Sequence, residues 1–384
     1  MKWKLTDAKE HYREMIHKHR VVFDASRNAW VIYGYNECRQ VFTSPGVAIP
    51  PVFVPDGITF SDTTTMIVER LARVSNDHGH IRARQVAIIL YKHLSDADIP
   101  AIINRRLSIP GIRHRFDWVE TVARNFSTLV ILDALGFSDA DSNRILPVMP
   151  QLVKLLSPAK TVEDVAMLNK VCSDLDQIVS QWIQNQKFTE KAYESKEVME
   201  DKAEALAMLT ANVIGLLIQS YDAGRGLLTN ALVALADHGL VFGETIPGVT
   251  DFVNEVLRFD GPLHNTLRMA VADIKIGEVL IKKGERILIV IAAANLDPLI
   301  FRDPLTFNTG RQNNNQHLSF GYGAHECIAR PLMITITAGV CQYLVSSFTN
   351  LVIETQELEF EPQQNVRLIK NLFVSFSENE YATR

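Results

Sequence analysis

LSFGYGAHECIARPL, residues 318–332, sets a lone cysteine, Cys327, behind a run of small residues and a histidine and directly ahead of apolar helical spacing. A thiolate is a soft, electron-rich ligand, and a place just before a helix start lets backbone N–H groups stabilise the anion and set its donor strength. The small residues suit the same purpose. Gly321, Gly323 and Ala324 let the backbone lie flat against a large planar ligand, and Ala329 keeps the helix close to it. Cys327 thereby reads as the axial ligand of a haem iron. The competing reading is an inert buried thiol, the commoner fate of an isolated cysteine.

The rest of the chain bounds that reading. Its 384 residues are 47% hydrophobic and 22% charged, enough for a large core in one domain or two small ones, and the expectation is a single domain over 1–384. A net charge of −5 with no basic block argues against nucleic acid as the main partner. Cys38, Cys172, Cys327 and Cys341 form neither a disulfide framework nor a CxxC metal site. No apolar run is expected to reach the roughly 20 residues of a membrane span, and the charged start MKWKLTDAKEHYREM lacks a signal-peptide core. The expected compartment is the cytoplasm, with no membrane attachment.

The periodicity is mostly helical. Helices are expected over 5–20, 80–94, 117–136, 161–187, 195–238 and 247–259, with a last one from the Cys327 segment to about Phe348. VVFDASRNAWVIYG (21–34) alternates around a polar Ser26-Arg27-Asn28 turn and reads as a hairpin. Residues 269–295 read as short strands broken at Gly277 and Gly284, and the proline-rich 45–70 as irregular, either a lid over a pocket or a connecting loop.

Phe320, Gly323, His325, Cys327 and Ala329 fall at the spacing of the haem-thiolate signature, and the chain resembles the cytochrome P450 family in further landmarks. Glu255 and Arg258 in NEVLRF match the family's helical Glu-x-x-Arg; His80 and Arg84 in HIRAR match the His-x-x-x-Arg of its propionate helix; Arg268 matches a third propionate position. DPLTFNTGR (303–311) and the polar run after it match the segment before the cysteine loop, so the resemblance extends from about residue 20 to 350. It implies a mainly α fold with small β-sheets. It also implies haem b held by Cys327, with Phe320, Gly321 and Ala329 against the macrocycle and His80, Arg84, Arg268 and His325 on its propionates. Glu255 and Arg258 would close a structural ion pair behind it.

Two departures stand out. Where the family's oxygen-activation helix carries Ala-Gly-x-Asp/Glu-Thr, this chain has Gln219, Ser220, Tyr221, Asp222 and Ala223, so the alcohol that orients oxygen and relays protons is missing. Thr229 lies nearly two turns away. A substrate hydroxyl, ordered water from Asp222, or a reaction without the usual oxygen cleavage would each account for it. Arg225 is expected to pair with Asp222 or point into protein, and Gly224 and Gly226 to distort the helix or allow close packing. Secondly, Thr306 stands where the family has an arginine, so the rigidity of the haem pocket on that side rests on Arg302 or Arg311, or is lower.

The resulting expectation is a haem-thiolate oxidoreductase of monooxygenase type. It would be a monomer drawing electrons from NAD(P)H through ferredoxin reductase and ferredoxin, and would perform a tailoring step of bacterial specialised metabolism. Asp222 and Ala223 are its catalytic positions. Gln219, Leu263, His264 and Asn265 are expected to line the pocket of a small-molecule substrate, free or bound to a carrier protein. The alternatives are a redox-independent dehydratase or isomerase, a peroxide-using enzyme and, outside enzymology, a haem-binding sensor.

Overall fold

The Ser26-Arg27-Asn28 turn closes a hairpin of β1 (Val21–Asp24) and β2 (Ala29–Ile32), in which Asp24 pairs with Ala29 and the Asp24 carboxylate accepts from the Ser26 N–H at 2.9 Å. These and the following features come from a computed structural model that describes residues 8–107, 114–186, 202–238 and 248–378. Two compact units divide the chain. One comprises Met1–Ala48, Ile103–Arg124 and Ala223–Arg384, the other Ile49–Ile102 and Asn125–Asp222.

The first unit holds every strand among the described residues. Its main sheet runs β1-β2-β8-β5-β3, with β3 at Val47–Ala48, β5 at Thr266–Ala270 and β8 at Arg286–Ile289. Strand β8 lies parallel to β2 and antiparallel to β5. A core of Ile32, Tyr35, Val41, Ile287, Ile289, Phe301 and Leu318 packs against this sheet, which fixes the segment entering the cysteine loop. Strands β6 (Ile274–Ile276) and β7 (Val279–Ile281) form a separate hairpin, as the glycine breaks predict. A third sheet, β4-β10-β9 (Phe116–Asp117, Phe373–Glu378, Phe348–Ile353), is absent from the sequence reading.

The second unit is helical. Helix Asp62–Arg70 starts at Ser61, whose Oγ accepts from Thr64 N, and packs on helix Val162–Gln184, itself opened by a Thr161–Asp164 capping box. Arg70 bridges to Glu204 at 2.7 Å, and Phe137 stacks on Trp182 with ring centroids 4.4 Å apart.

Several boundaries differ from expectation. Within 45–70 the irregular stretch stops at Ser61, because that residue caps a helix. IAAA, Ile291–Ala294, is a short helix and not a strand; three of its four residues are buried, and alanine favours the helical turn. The stretch 117–136 begins with a π-turn, Val119–Ala123, before the α-helix Arg124–Leu135. The expected starts at residues 5, 195 and 247 lie outside the described residues. Contrary to the membrane expectation, helix Lys202–Asp237 is long and apolar enough to cross a membrane by length and composition, although 67% of its most apolar window is buried within the protein.

Candidate haem site

Cys327 follows a 3₁₀ turn, Gly323–His325, and precedes helix Arg330–Ser347, for which Ala329 is the N-cap. The loop is closed by backbone bonds: Gly321 N to Leu318 O at 2.8 Å, Glu326 N to Gly323 O at 3.0 Å, and Cys327 N to Phe320 O at 2.9 Å. Both Gly321 and Gly323 have φ of +74°, the left-handed region where a side chain is strained. At Gly323 there is a second demand, since a Cβ would stand 3.1 Å from Phe42 O and 3.3 Å from Thr43 Cγ2. The Phe42 ring in turn lies 5.5 Å from the Arg268 guanidinium, so one residue connects the cysteine loop with β5.

The four cysteines are not equivalent. Cys38, Cys172 and Cys341 are buried, and burial pushes their thiols up, to about 11 at Cys172, about 12 at Cys341 and well above the usual value at Cys38. Only Cys327 is half-exposed. It alone can offer sulfur to a ligand from outside the core.

Behind the loop lies a polar network centred on the fully buried Glu255–Arg258 pair. Arg258 donates to both Glu255 carboxylate oxygens, at 2.8 and 2.7 Å, and to the carbonyls of Asn295 (3.1 Å), Pro304 (2.9 Å) and Thr306 (3.2 Å). Asn295 then reaches the loop: its Oδ1 accepts from Leu318 N at 2.7 Å and its Nδ2 donates to Ser319 Oγ at 2.8 Å. Ser319 Oγ donates to Leu257 O at 2.6 Å, returning to the helix that carries the ion pair. Asn295 escaped the sequence reading because nothing in AAAN marks an asparagine as buried.

The choice between Arg302 and Arg311 is resolved by placement. Arg311 is 6% exposed, with Nε 3.5 Å from Glu255 Oε2 and Nη2 3.2 Å from Thr306 O; the Arg302 side chain is 96% exposed. Thr306 contributes its carbonyl to both arginines.

The remaining site residues differ in burial and in partners. Arg268 is buried and donates to Thr266 Oγ1 at 3.0 Å and Leu267 O at 2.8 Å, while His325 is half-buried in the 3₁₀ turn. In the second unit His80 and Arg84 share a face of helix Asp77–Ser95, and His80 Nδ1 meets Ala72 O at 3.0 Å. A carbonyl can only accept, so Nδ1 carries the proton in this contact. His264, expected in the substrate pocket, is buried and bonded to Tyr12 at 3.1 Å; burial pulls its pKa down to about 4. Its backbone N–H is tied to Asn365 O, which fixes the ring toward the N-terminal helix Ala8–Lys18. Leu263 bridges to Val366, and Asn265 Nδ2 donates to Gln364 O at 2.8 Å.

Helix Lys202–Asp237 runs on through its glycines. Gly226 serves close packing: a Cβ there would stand 2.5 Å from Pro262 and 2.8 Å from Leu368. Arg225 is 2% exposed and donates to Glu361 Oε1 at 2.8 Å. Burial alone would raise the Glu361 carboxyl, but the guanidinium outweighs it and holds the acid below its usual range. Neither nearby alcohol replaces the missing one. Ser220 Oγ bonds Thr128 Oγ1 (3.2 Å) and Leu217 O (2.9 Å), and Thr229 Oγ1 bonds Arg225 O (2.8 Å). From Met208 to Leu232 every residue is buried except Leu216, Gln219, Asp222 and Ala223. Their spacing puts them on one stripe of the helix.

These residues fit a haem. The donor is a lone accessible cysteine ahead of a helix, the loop leaves a cradle that a Cβ at Gly323 would disturb, and Arg268 lies beside Phe42 at the loop's edge. A family model described as cytochrome P450 matches residues 244–376, the stretch that carries Glu255, Arg258, Arg268 and Cys327. The biotin biosynthesis cytochrome P450 of Bacillus subtilis is 22% identical over 90% of this chain and 90% of its own length. The cytochrome P450 monooxygenase PikC of Streptomyces venezuelae is 23% identical over 95% of this chain and 89% of its own. Among solved structures, P450BioI in complex with hexadec-9Z-enoic acid ligated acyl carrier protein superposes with a TM-score of 0.80 at 20% identity, covering 97% of this chain and 99% of that one. Fold, cysteine loop and family match agree: residues 244–376 match the cytochrome P450 family, and the chain as a whole has the fold of that family's solved members.

Proposed function

We propose that this chain is a monooxygenase that inserts oxygen into a small organic substrate as a tailoring step of bacterial biosynthesis, with electrons delivered from NAD(P)H by a ferredoxin and its reductase. The observation that carries this reading is Cys327, the one cysteine of four open to a ligand, in a loop shaped by two glycines of positive φ. Thiolate-ligated haem, when bound, supplies oxygen activation by pushing electron density toward O–O cleavage. The protein's part is to hold the group and manage protons. Cys327 donates the sulfur, and the start of helix Arg330–Ser347 stabilises its charge. Arg268 and His325, with His80 and Arg84 in the same role, would neutralise the propionates. The Glu255–Arg258–Asn295 network would keep the loop from shifting under the group. Asp222 would hold the proton delivered toward the substrate side, since it is the carboxylate on the open stripe of its helix.

A second reading concerns delivery. The full-length likeness to a relative solved with an acyl carrier protein favours a substrate tethered to a carrier over a freely diffusing one. Engagement of Arg225 by Glu361 speaks against a peroxide-using enzyme in which that arginine binds a substrate carboxylate. The test is turnover of the haem-loaded protein with a ferredoxin, its reductase and NAD(P)H. Consumption of dioxygen with product formation supports the proposal; conversion of substrate with no electron consumption would overturn it in favour of a redox-independent dehydratase or isomerase.

A further inference from the structure

Helix Ala8–Lys18 and the end of helix Val249–Asp260 border a cavity of about 150 Å³, room for more than a single water, and Lys9, Tyr12, Asp260, His264 and Arg367 bring polar groups to it. Its charges do not balance. Both Asp260 oxygens accept from Arg367 Nη1, at 2.8 and 3.0 Å. Burial alone would raise the Asp260 carboxyl, but Arg367 and Lys9 outweigh it and hold it below its usual range, so it counts as an anion. Glu10, also at the cavity, is 59% exposed and pairs with Arg13 at 2.5 Å, while the Arg258 guanidinium is committed to Glu255 and three carbonyls. His264, bonded to Tyr12 at 3.1 Å, is neutral near pH 7 because burial lowers its pKa to about 4. Two cations, Lys9 and Arg367, therefore share one carboxylate. The surplus shows at Lys9: its half-buried ammonium lies 3.5 Å from the Phe259 ring centroid and makes no hydrogen bond among the described residues. Arg367 Nε is likewise buried without a hydrogen-bond partner among them. An ammonium with only an aromatic face beside it leaves three donors unsatisfied, which is costly away from water.

We propose that this cavity is a binding site for a small monocarboxylate. One further negative charge brings the lining to two cations and two anions, whereas a dianion would overshoot that balance and be repelled by Asp260. A carboxylate offers acceptor lone pairs only, the complement of the Lys9 ammonium and of the Arg367 N–H groups that Asp260 does not use. The apolar part of the lining, Phe259, Ala292 and Leu296, suits a short alkyl tail, and the volume excludes a long one. Occupancy ties the N-terminal helix to the helix that carries Glu255 and Arg258. None of the residues read as haem ligand or propionate partner lines this cavity.

The test is calorimetric titration of acetate into the haem-loaded full chain at constant ionic strength in chloride, with malonate as the dianion, for wild type, Lys9→Met and Lys9→Arg. The expected result is saturable binding to one site in the wild type, with a dissociation constant in the millimolar range and the haem absorption unchanged. Affinity should fall about tenfold for malonate and about tenfold for acetate in Lys9→Met, yet stay within about threefold of wild type in Lys9→Arg, which keeps the charge and so separates loss of the site from loss of the fold. Absence of saturable binding in the wild type would overturn the proposal and leave the cavity to water. Equal affinity in Lys9→Met, or tighter binding of malonate than of acetate, would also overturn it. So would a change in haem absorption that tracks binding, which would put the anion at the iron.

Discussion

Asn295 joins Arg258 to the cysteine loop: its carbonyl accepts from Arg258 Nη1 at 3.1 Å while its own side chain accepts from Leu318 N at 2.7 Å. A single buried amide thus transmits the position of the Glu255–Arg258 pair to the residues just before Phe320. Asn295→Ala should strand the Leu318 N–H and cost about 1–3 kcal/mol. Haem should also be lost more readily than from wild type. Melting temperature and haem retention after gel filtration check this; a variant matching wild type in both would show that the amide is dispensable.

Arg311 and Arg302 should behave oppositely. Arg311 lies 6% exposed against Glu255 and three backbone carbonyls, so Arg311→Met should lower stability by about 1–3 kcal/mol. Arg302, 96% exposed, should tolerate alanine with no measurable change. Chemical denaturation of the two variants side by side decides the assignment.

Much of this was legible in sequence and some could not have been. The hairpin at 21–34, the helix bearing Glu255 and Arg258, and the cysteine loop are each announced by local pattern: alternation around a polar turn, i,i+3 spacing, glycines ahead of a helix. Asn295 was not, and Arg311 could not be told from Arg302, because their roles arise from contacts across the chain, 37 residues from Arg258 and with Glu255 on another element. The sheet β4-β10-β9 joins strands remote in sequence in the same way. His264 misled for a related reason: its neighbours in sequence say nothing of Tyr12, 252 residues away.

Asp222 and the Arg225–Glu361 pair should separate cleanly. Asp222→Asn should slow turnover by about 10²-fold while melting and haem content stay near wild type. Glu361→Gln should instead weaken the fold, since it removes the charge facing an arginine that is 3% exposed, and leave the rate per folded molecule close to wild type. Turnover and thermal melting measured together distinguish the two roles.

Acid should destabilise the protein through two imidazoles. Burial lowers His264 to about 4 and His317 to about 3. Between these values and the unfolded pKa of about 6.5 the unfolded chain binds protons that the native chain does not, so stability is full above that pH and falls below it. The slope should approach about 1.4 kcal/mol per pH unit for each group. Denaturation midpoints at pH 7, 6 and 5 for wild type and His317→Gln check this; the variant should show the shallower decline, and an equal one would contradict the assignment.

The central claim, that Cys327 binds haem iron as a thiolate, is tested most directly by the absorption spectrum of the reduced carbon monoxide adduct in wild type and Cys327→Ser. The wild type should show the red-shifted Soret band of thiolate ligation. That band should vanish in Cys327→Ser and persist when Cys38, Cys172 or Cys341, all buried, is replaced. A band that survives in Cys327→Ser, or that never forms in the wild type, would contradict the account.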